Sequence, residues 1–233
     1  MSDMGFLYTS LPLWLAIGGN LAAVALLALA ARKKSFARLH DDTLQHLWLG
    51  MTVAIAVMWA TNAWLNDGPV MHLLGATLMV TLFDWSLALV SMAAICALVA
   101  AILGTPWHGV GLTFVIFGAV PVFVSTMLQR AIAAWLPRTL LVFIFGHGFV
   151  TAALALGAAC AGALGLQLML AHGDTAVIPP SYGIAVVVLA SGEAWFCGML
   201  TALFAVYRPA WVTTYDVRRY RFDRSHVDRG PRA

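Results

Sequence analysis

Long apolar runs, each about the length of a membrane-crossing helix, alternate along this chain with short polar breaks. A crossing helix needs about 20 consecutive apolar residues. Six runs meet that requirement, over roughly residues 11–31, 46–66, 85–104, 112–130, 139–171 and 181–207. A further apolar stretch, Val70 to Phe83, is too short for a full crossing and reads as a partial helix held inside the bundle. The run 139–171 is longer than a bilayer requires, so it must tilt, kink or project. Its glycines, among them Gly146 and Gly148, allow bending or close helix packing. In the first run, Gly18 with Ala22 and Gly19 with Ala23 form small faces suited to a helix neighbour. The predicted fold is all-α: a polytopic membrane bundle of about seven helices over residues 1–210, followed by a polar basic tail over 211–233.

Composition agrees with the pattern. The 233 residues are 62% hydrophobic and 10% charged, whereas a soluble domain carries about 25% charge. Lipid is the solvent such a surface requires, and the length fits one domain. The first run lacks a basic n-region and reads as a retained span, not a cleaved signal. All 13 Lys and Arg fall at Arg32, Lys33, Lys34 and Arg38, at Arg130 and Arg138, at Arg208, and between Arg218 and Arg232. Basic residues mark the cytoplasmic ends of spans. With six crossings that bias splits between the two sides. If the short stretch also returns the chain, every basic residue falls on one side. Seven crossings, N-terminus out and C-terminus in, is therefore the expected topology. No continuous basic face exists for nucleic acid. The tail is expected to lie near anionic headgroups.

Several chemistries drop out. No Lys follows Lys34, so no span can hold a Schiff base. The chain has no GxxxxGK[ST], HExxH or GxSxG motif, so it neither hydrolyses ATP nor matches the common membrane proteases. Cys96, Cys160 and Cys197 are far apart and read as small buried hydrophobes. Polar groups inside spans need a reason. The single Glu, Glu193, sits near the middle of the last span, either on an ion pathway or as a structural hydrogen bond to a neighbouring helix. His147, between Gly146 and Gly148, is a candidate ligand or an interhelical hydrogen bonder. His72 opens the short stretch, and His108 lies in an outer loop. Neutral imidazole suits Ni, Co, Cu and Zn. His40 and His46 read as cytoplasmic interface residues, and Asp84 as a helix-terminus residue at the inner edge.

The segment Gly68-Pro69-Val70-Met71-His72-Leu73-Leu74-Gly75 resembles the G-x-x-x-H-L-L-G segment of the CbiM/NikM family, the substrate-capturing membrane subunits of energy-coupling-factor cobalt and nickel transporters. His108-Gly109-Val110-Gly111-Leu112-Thr113 is similar to its H-G-G-L-T loop with one residue added. Gly192-Glu193 and Tyr207-Arg208-Pro209 are similar to its A-E-G and Y-R-P-E ending, and Met4-Gly5-Phe6-Leu7 to its M-E-G-F-L opening. The resemblance runs in order over most of the chain. It implies a non-enzymatic subunit that carries a cobalt- or nickel-class divalent ion as cargo, with no permanently bound cofactor. A coupling membrane subunit and ATPase subunits would be its partners, in the inner membrane of a bacterial-type cell.

In that family the chain starts Met-His. The free amine, the next backbone nitrogen and that His ring bind the metal, and the His of H-L-L-G completes a nearly planar nitrogen site. By position, His72 inherits this last role. The present chain starts Met1-Ser2-Asp3-Met4 and lacks the family's asparagine motif, since Val115 to Val124 holds only apolar residues, Gly118 and Pro121. The resemblance leaves Asp3, Met4, His108 and His147 open as further ligands beside His72. The alternative reading is a non-transporting membrane scaffold or assembly factor, in which His72 and Glu193 are structural.

Overall fold

The structure is a computed structural model that describes residues 11–60, 72–104, 106–170 and 181–215. Every regular element among these residues is helical. Six helices are long and apolar enough to cross a membrane. They are α1 (Leu13–Ala31), α2 (Asp42–Ala60), α4 (Trp85–Leu103), the continuous helix Trp107–Trp135, the continuous helix Leu140–Leu170, and α9 (Tyr182–Tyr207). Large apolar side chains such as Trp14, Leu21, Val53, Val57, Ile184 and Val187 face outward, as lipid contact requires.

The helix boundaries follow local chemistry. α2 starts at Asp42, four residues before the apolar run begins, because the Asp41 carboxylate accepts the N–H groups of Thr43 (2.8 Å) and Leu44 (3.3 Å). That cap satisfies donors the helix leaves open. The helix Trp107–Trp135 is built from α5 (Val110–Thr113), a π segment (Phe114–Ala119) and α6 (Val120–Trp135). It runs past the apolar stretch because Arg130 lies on its exposed side. Leu140–Leu170 consists of α7 (Leu140–Val142), a second π segment (Phe143–Val150) and α8 (Thr151–Leu170). Its 31 residues make a rod of about 46 Å at 1.5 Å per residue. The π turn is where the expected irregularity sits.

The short stretch is indeed a partial helix. α3 (Ala76–Phe83) has eight residues, all buried. Residues 72–75 precede it without helical structure. Together they carry the chain back through the interior, from the level of Trp59 to the face where α1 ends. At that face Ser35 Oγ donates to the Asp84 carboxylate (3.0 Å), and Lys33 lies over the Trp85 ring. The segment after α9 reaches the same face. Thr213 N–H donates to Leu82 O (3.2 Å) and Thr214 N–H to Thr81 O (3.4 Å), so two terminal carbonyls of α3 find partners. Arg32 and Lys33 follow α1 and Arg208 follows α9 at this face, which makes it basic. The described residues thus hold six long helices and one short interior helix, close to the seven expected. Asp84 sits between α3 and α4 with φ 82°. It joins the two helices and holds the Lys34–His40 turn, and its side chain caps neither helix.

The two small faces of α1 part company. Gly19 and Ala23 are buried, and a Cβ on Gly19 would sit 2.9 Å from Leu112 backbone. Gly18 and Ala22 face outward, and Gly18 has open space around it.

Candidate functional site

Residues 72–75 run without helical structure, and polar side chains of neighbouring helices hold their backbone. In a water-poor interior each backbone N–H and C=O needs a partner. Glu193, 1% exposed, supplies two of them from α9. Its Oε2 accepts Leu74 N–H (2.8 Å) and its Oε1 accepts Gly75 N–H (2.7 Å). Cys197, one turn further along α9, donates its thiol to Oε1 (3.3 Å). On the other side Trp59 Nε1–H donates to Leu74 O (3.1 Å). Gly75 O accepts Met79 N–H and begins α3. Gly75 itself is required by its φ of +68°, and the end of the Ile55 side chain packs against it.

His72 opens this segment. Its ring lies against Trp59 (centroids 4.2 Å) and Phe117 (6.1 Å). Its Nδ1 is 3.1 Å from Leu73 O. A carbonyl only accepts, so that bond places the proton on Nδ1 and the lone pair on Nε2. Metal-binding histidines commonly show this arrangement, with one ring N–H spent on a carbonyl and the other nitrogen facing the ion. Glu193 is therefore tied through two backbone bonds to the segment that carries His72, an arrangement that favours the hydrogen-bonding reading of that carboxylate.

The other candidates are dispersed. His108 is exposed in the 3₁₀ turn Trp107–Gly109, and its carbonyl accepts Asn20 Nδ2–H (2.9 Å). His147 is buried in the second π segment, and neither ring nitrogen has a hydrogen-bond partner among the described residues. The expected interhelical bond from its ring is therefore not made. Asp3 and Met4 lie outside the described residues, as do residues 68–71 and most of the tail. Among the described residues, no three of His, Cys, Asp or Glu come together as a metal-binding group. All three cysteines are buried and unpaired with one another, as small hydrophobes are.

Sequence reasoning missed an interior polar ladder. Thr77 Oγ1 and Ser125 Oγ are 2.8 Å apart, and Gln129 Nε2 donates to Thr81 Oγ1 (2.8 Å). The signal was present: both pairs are spaced four apart, on α3 and on α6, which places each pair on one helix face.

The sequence matches, over residues 8–211, the family described as the cobalt uptake substrate-specific transmembrane region, CbiM. A comparison with curated proteins finds no match. Among solved structures, a truncated transition metal transporter superposes with a TM-score of 0.67 at 20% identity, covering 89% of this chain and 99% of its own. A second transition metal transporter structure gives 0.67 at 20% identity, covering 86% and 92%. At that identity these two show a shared fold. The match over residues 8–211 goes further: this chain, an integral membrane protein, belongs to the CbiM family of cobalt-uptake transmembrane regions.

Proposed function

We propose that this chain is the substrate-capture subunit of an energy-coupling-factor transporter, and that its cargo is a divalent transition metal of the cobalt or nickel class. The observation that carries the reading is the fixed His72 segment. The bond to Leu73 O leaves Nε2 as the ligand atom, while Glu193 and Trp59 hold the adjoining backbone. An imidazole nitrogen suits these metals. Rigid support by neighbouring hydrogen bonds is what a ligand needs if it is to keep its geometry.

His72 alone is not a site. The segment before Leu11 supplies the remaining donors in this reading, with Asp3 and Met4 as its candidate side chains and His108 as an alternative on the loop beside α1. A donor set with fewer nitrogens than the family's Met-His start should bind more weakly and discriminate less sharply for nickel. Capture occurs on the face opposite the basic one, with the N-terminus outside and the tail in the cytoplasm. The chain has no nucleotide-binding motif, so a coupling membrane subunit and ATPase subunits provide the energy.

The test is accumulation of labelled Co(II) and Ni(II) in cells with and without the chain, in the presence of its partners. Metal accumulation that depends on the chain and falls with His72→Ala supports the reading. Accumulation equal in both strains contradicts it and favours a scaffold.

A further inference from the structure

α3 is held at both ends by one helix and its continuation. At its start the Glu193 carboxylate of α9 accepts the N–H groups of Leu74 and Gly75. At its end the segment that follows α9, residues 209–215, supplies donors. Thr213 N–H reaches Leu82 O (3.2 Å). Thr214 donates to Thr81 O twice, from its N–H (3.4 Å) and from its Oγ1 (2.8 Å). Acceptors at the N-terminus and donors at the C-terminus match the groups a helix leaves open.

The two ends are not equally secure. The first is sealed, because Glu193 is buried and Trp59 Nε1–H takes Leu74 O. The second is looser. Of residues 209–215 only Val212 is buried. The Tyr215 ring rests 4.8 Å from that of Phe143. The Thr213 hydroxyl has no partner among the described residues, and it regains one in water if the segment lifts away. A stretch held by a few hydrogen bonds and one buried side chain opens at lower cost than a packed helix.

Lifting it away has a consequence at the far end. Thr81 O and Leu82 O then lose these donors inside the bundle, where backbone groups need partners. They reach water only if α3 moves toward the basic face. All eight residues of α3 are buried, and packed elements of this kind step between arrangements as units. Such a step draws Leu74 and Gly75 away from Glu193 and so disturbs the His72 segment.

We propose that residues 209–215 are a latch at the basic face, whose docking on α3 is linked to the geometry of the His72 segment at the opposite end. Its part in metal release rests on the transport reading above: the loaded chain keeps the latch shut, and drawing it away loosens the ligand. Linkage is reciprocal, so metal tightens the latch by the factor by which an open latch weakens metal binding.

The test is residue-resolved amide hydrogen exchange on the full-length protein in lipid nanodiscs. Thr214→Val removes the Oγ1 donor, and Thr214→Ser keeps it. Leu74 and Gly75 open by way of the latch, so Thr214→Val without metal should speed exchange at both, and at Thr213, by about threefold, the loss expected for one hydrogen bond in a membrane protein. Thr214→Ser should keep wild-type rates. Ni(II) should slow Thr213 and Thr214 by at least about threefold in wild type and not in His72→Ala. Faster exchange in Thr214→Val confined to positions 213 and 214 would overturn the latch, as would Ni(II) slowing Leu74 and Gly75 alone. Ni(II) without effect on any amide refutes the transport reading instead, and the metal-free comparison still decides the latch.

Discussion

Replacing Glu193 with Gln changes one atom and should nevertheless weaken metal binding at His72. The wild-type carboxylate accepts Leu74 N–H on one oxygen and Gly75 N–H on the other, at 2.8 and 2.7 Å. A Gln side chain offers a single carbonyl oxygen. Its amide group is a donor and must face the second backbone N–H. One buried N–H then loses its partner, and α3 cannot shift to find water because all eight of its residues are buried. The cost of such a donor is about 1–3 kcal/mol. Membrane proteins show smaller hydrogen-bond energies, averaging about 0.6 kcal/mol, because the unfolded state also finds partners. Stability alone could therefore change little. Affinity is the sharper readout, because the strained N–H lies two or three residues from His72. If the whole 1–3 kcal/mol is felt there, Kd rises about 5- to 150-fold.

The assay is calorimetric titration of purified Glu193→Gln with Ni(II) and Co(II), beside thermal unfolding of the same sample. An unchanged Kd with an unchanged unfolding temperature would refute the positioning argument. Unchanged affinity and stability with lost uptake would instead mark Glu193 as a pathway residue.

Other expectations follow from the packing and charge. Gly148→Ala places a Cβ 2.8 Å from Gly198 Cα and 3.2 Å from Thr201 Cβ, so it should destabilise the bundle by about 1–3 kcal/mol. Gly157→Ala meets open space and should be neutral or stabilising by up to about 1 kcal/mol; thermal unfolding in detergent compares the two. Reporter fusions after Arg38, Gly104 and Arg208 should read inside, outside and inside, and an external Arg208 would overturn the orientation. Protons compete with the ion for Nε2 of His72, so Kd should rise by up to about tenfold per pH unit on the acid side of that imidazole's titration; an affinity flat down to strongly acid pH would exclude an imidazole ligand.

Much of the scaffold was legible because lipid imposes length and charge rules on the chain. Runs near 20 apolar residues became α1, α4 and α9 within a few residues of their expected limits. The one-sided basic residues pointed to a seventh element between the second and third long runs, and residues 72–83 supply a short interior helix there. Boundaries failed where a side chain overrode hydropathy. Asp41 starts α2 early, and a π segment and exposed Arg130 lengthen the helix ending at Trp135. His72 was singled out through its neighbours in sequence. The partners of Glu193 could not be found that way, because they are backbone N–H groups just over half the chain length away, and almost any residue type carries one. The Thr77/Thr81 and Ser125/Gln129 spacings were visible, but only the fold brings the two helices face to face. His147 shows the converse limit, since an imidazole without a partner leaves no mark in a sequence.

The central claim, that His72 binds a divalent transition metal, is tested most directly by calorimetry on purified protein with its N-terminus intact. Wild type and His72→Ala are each titrated with Ni(II), Co(II), Cu(II) and Zn(II). Wild type should bind at one dominant site, with at least about a tenfold loss of affinity, about 1.4 kcal/mol, in His72→Ala. Equal binding by the two proteins would show that His72 is not a ligand, and no binding by either would remove the chemical basis of the transport reading.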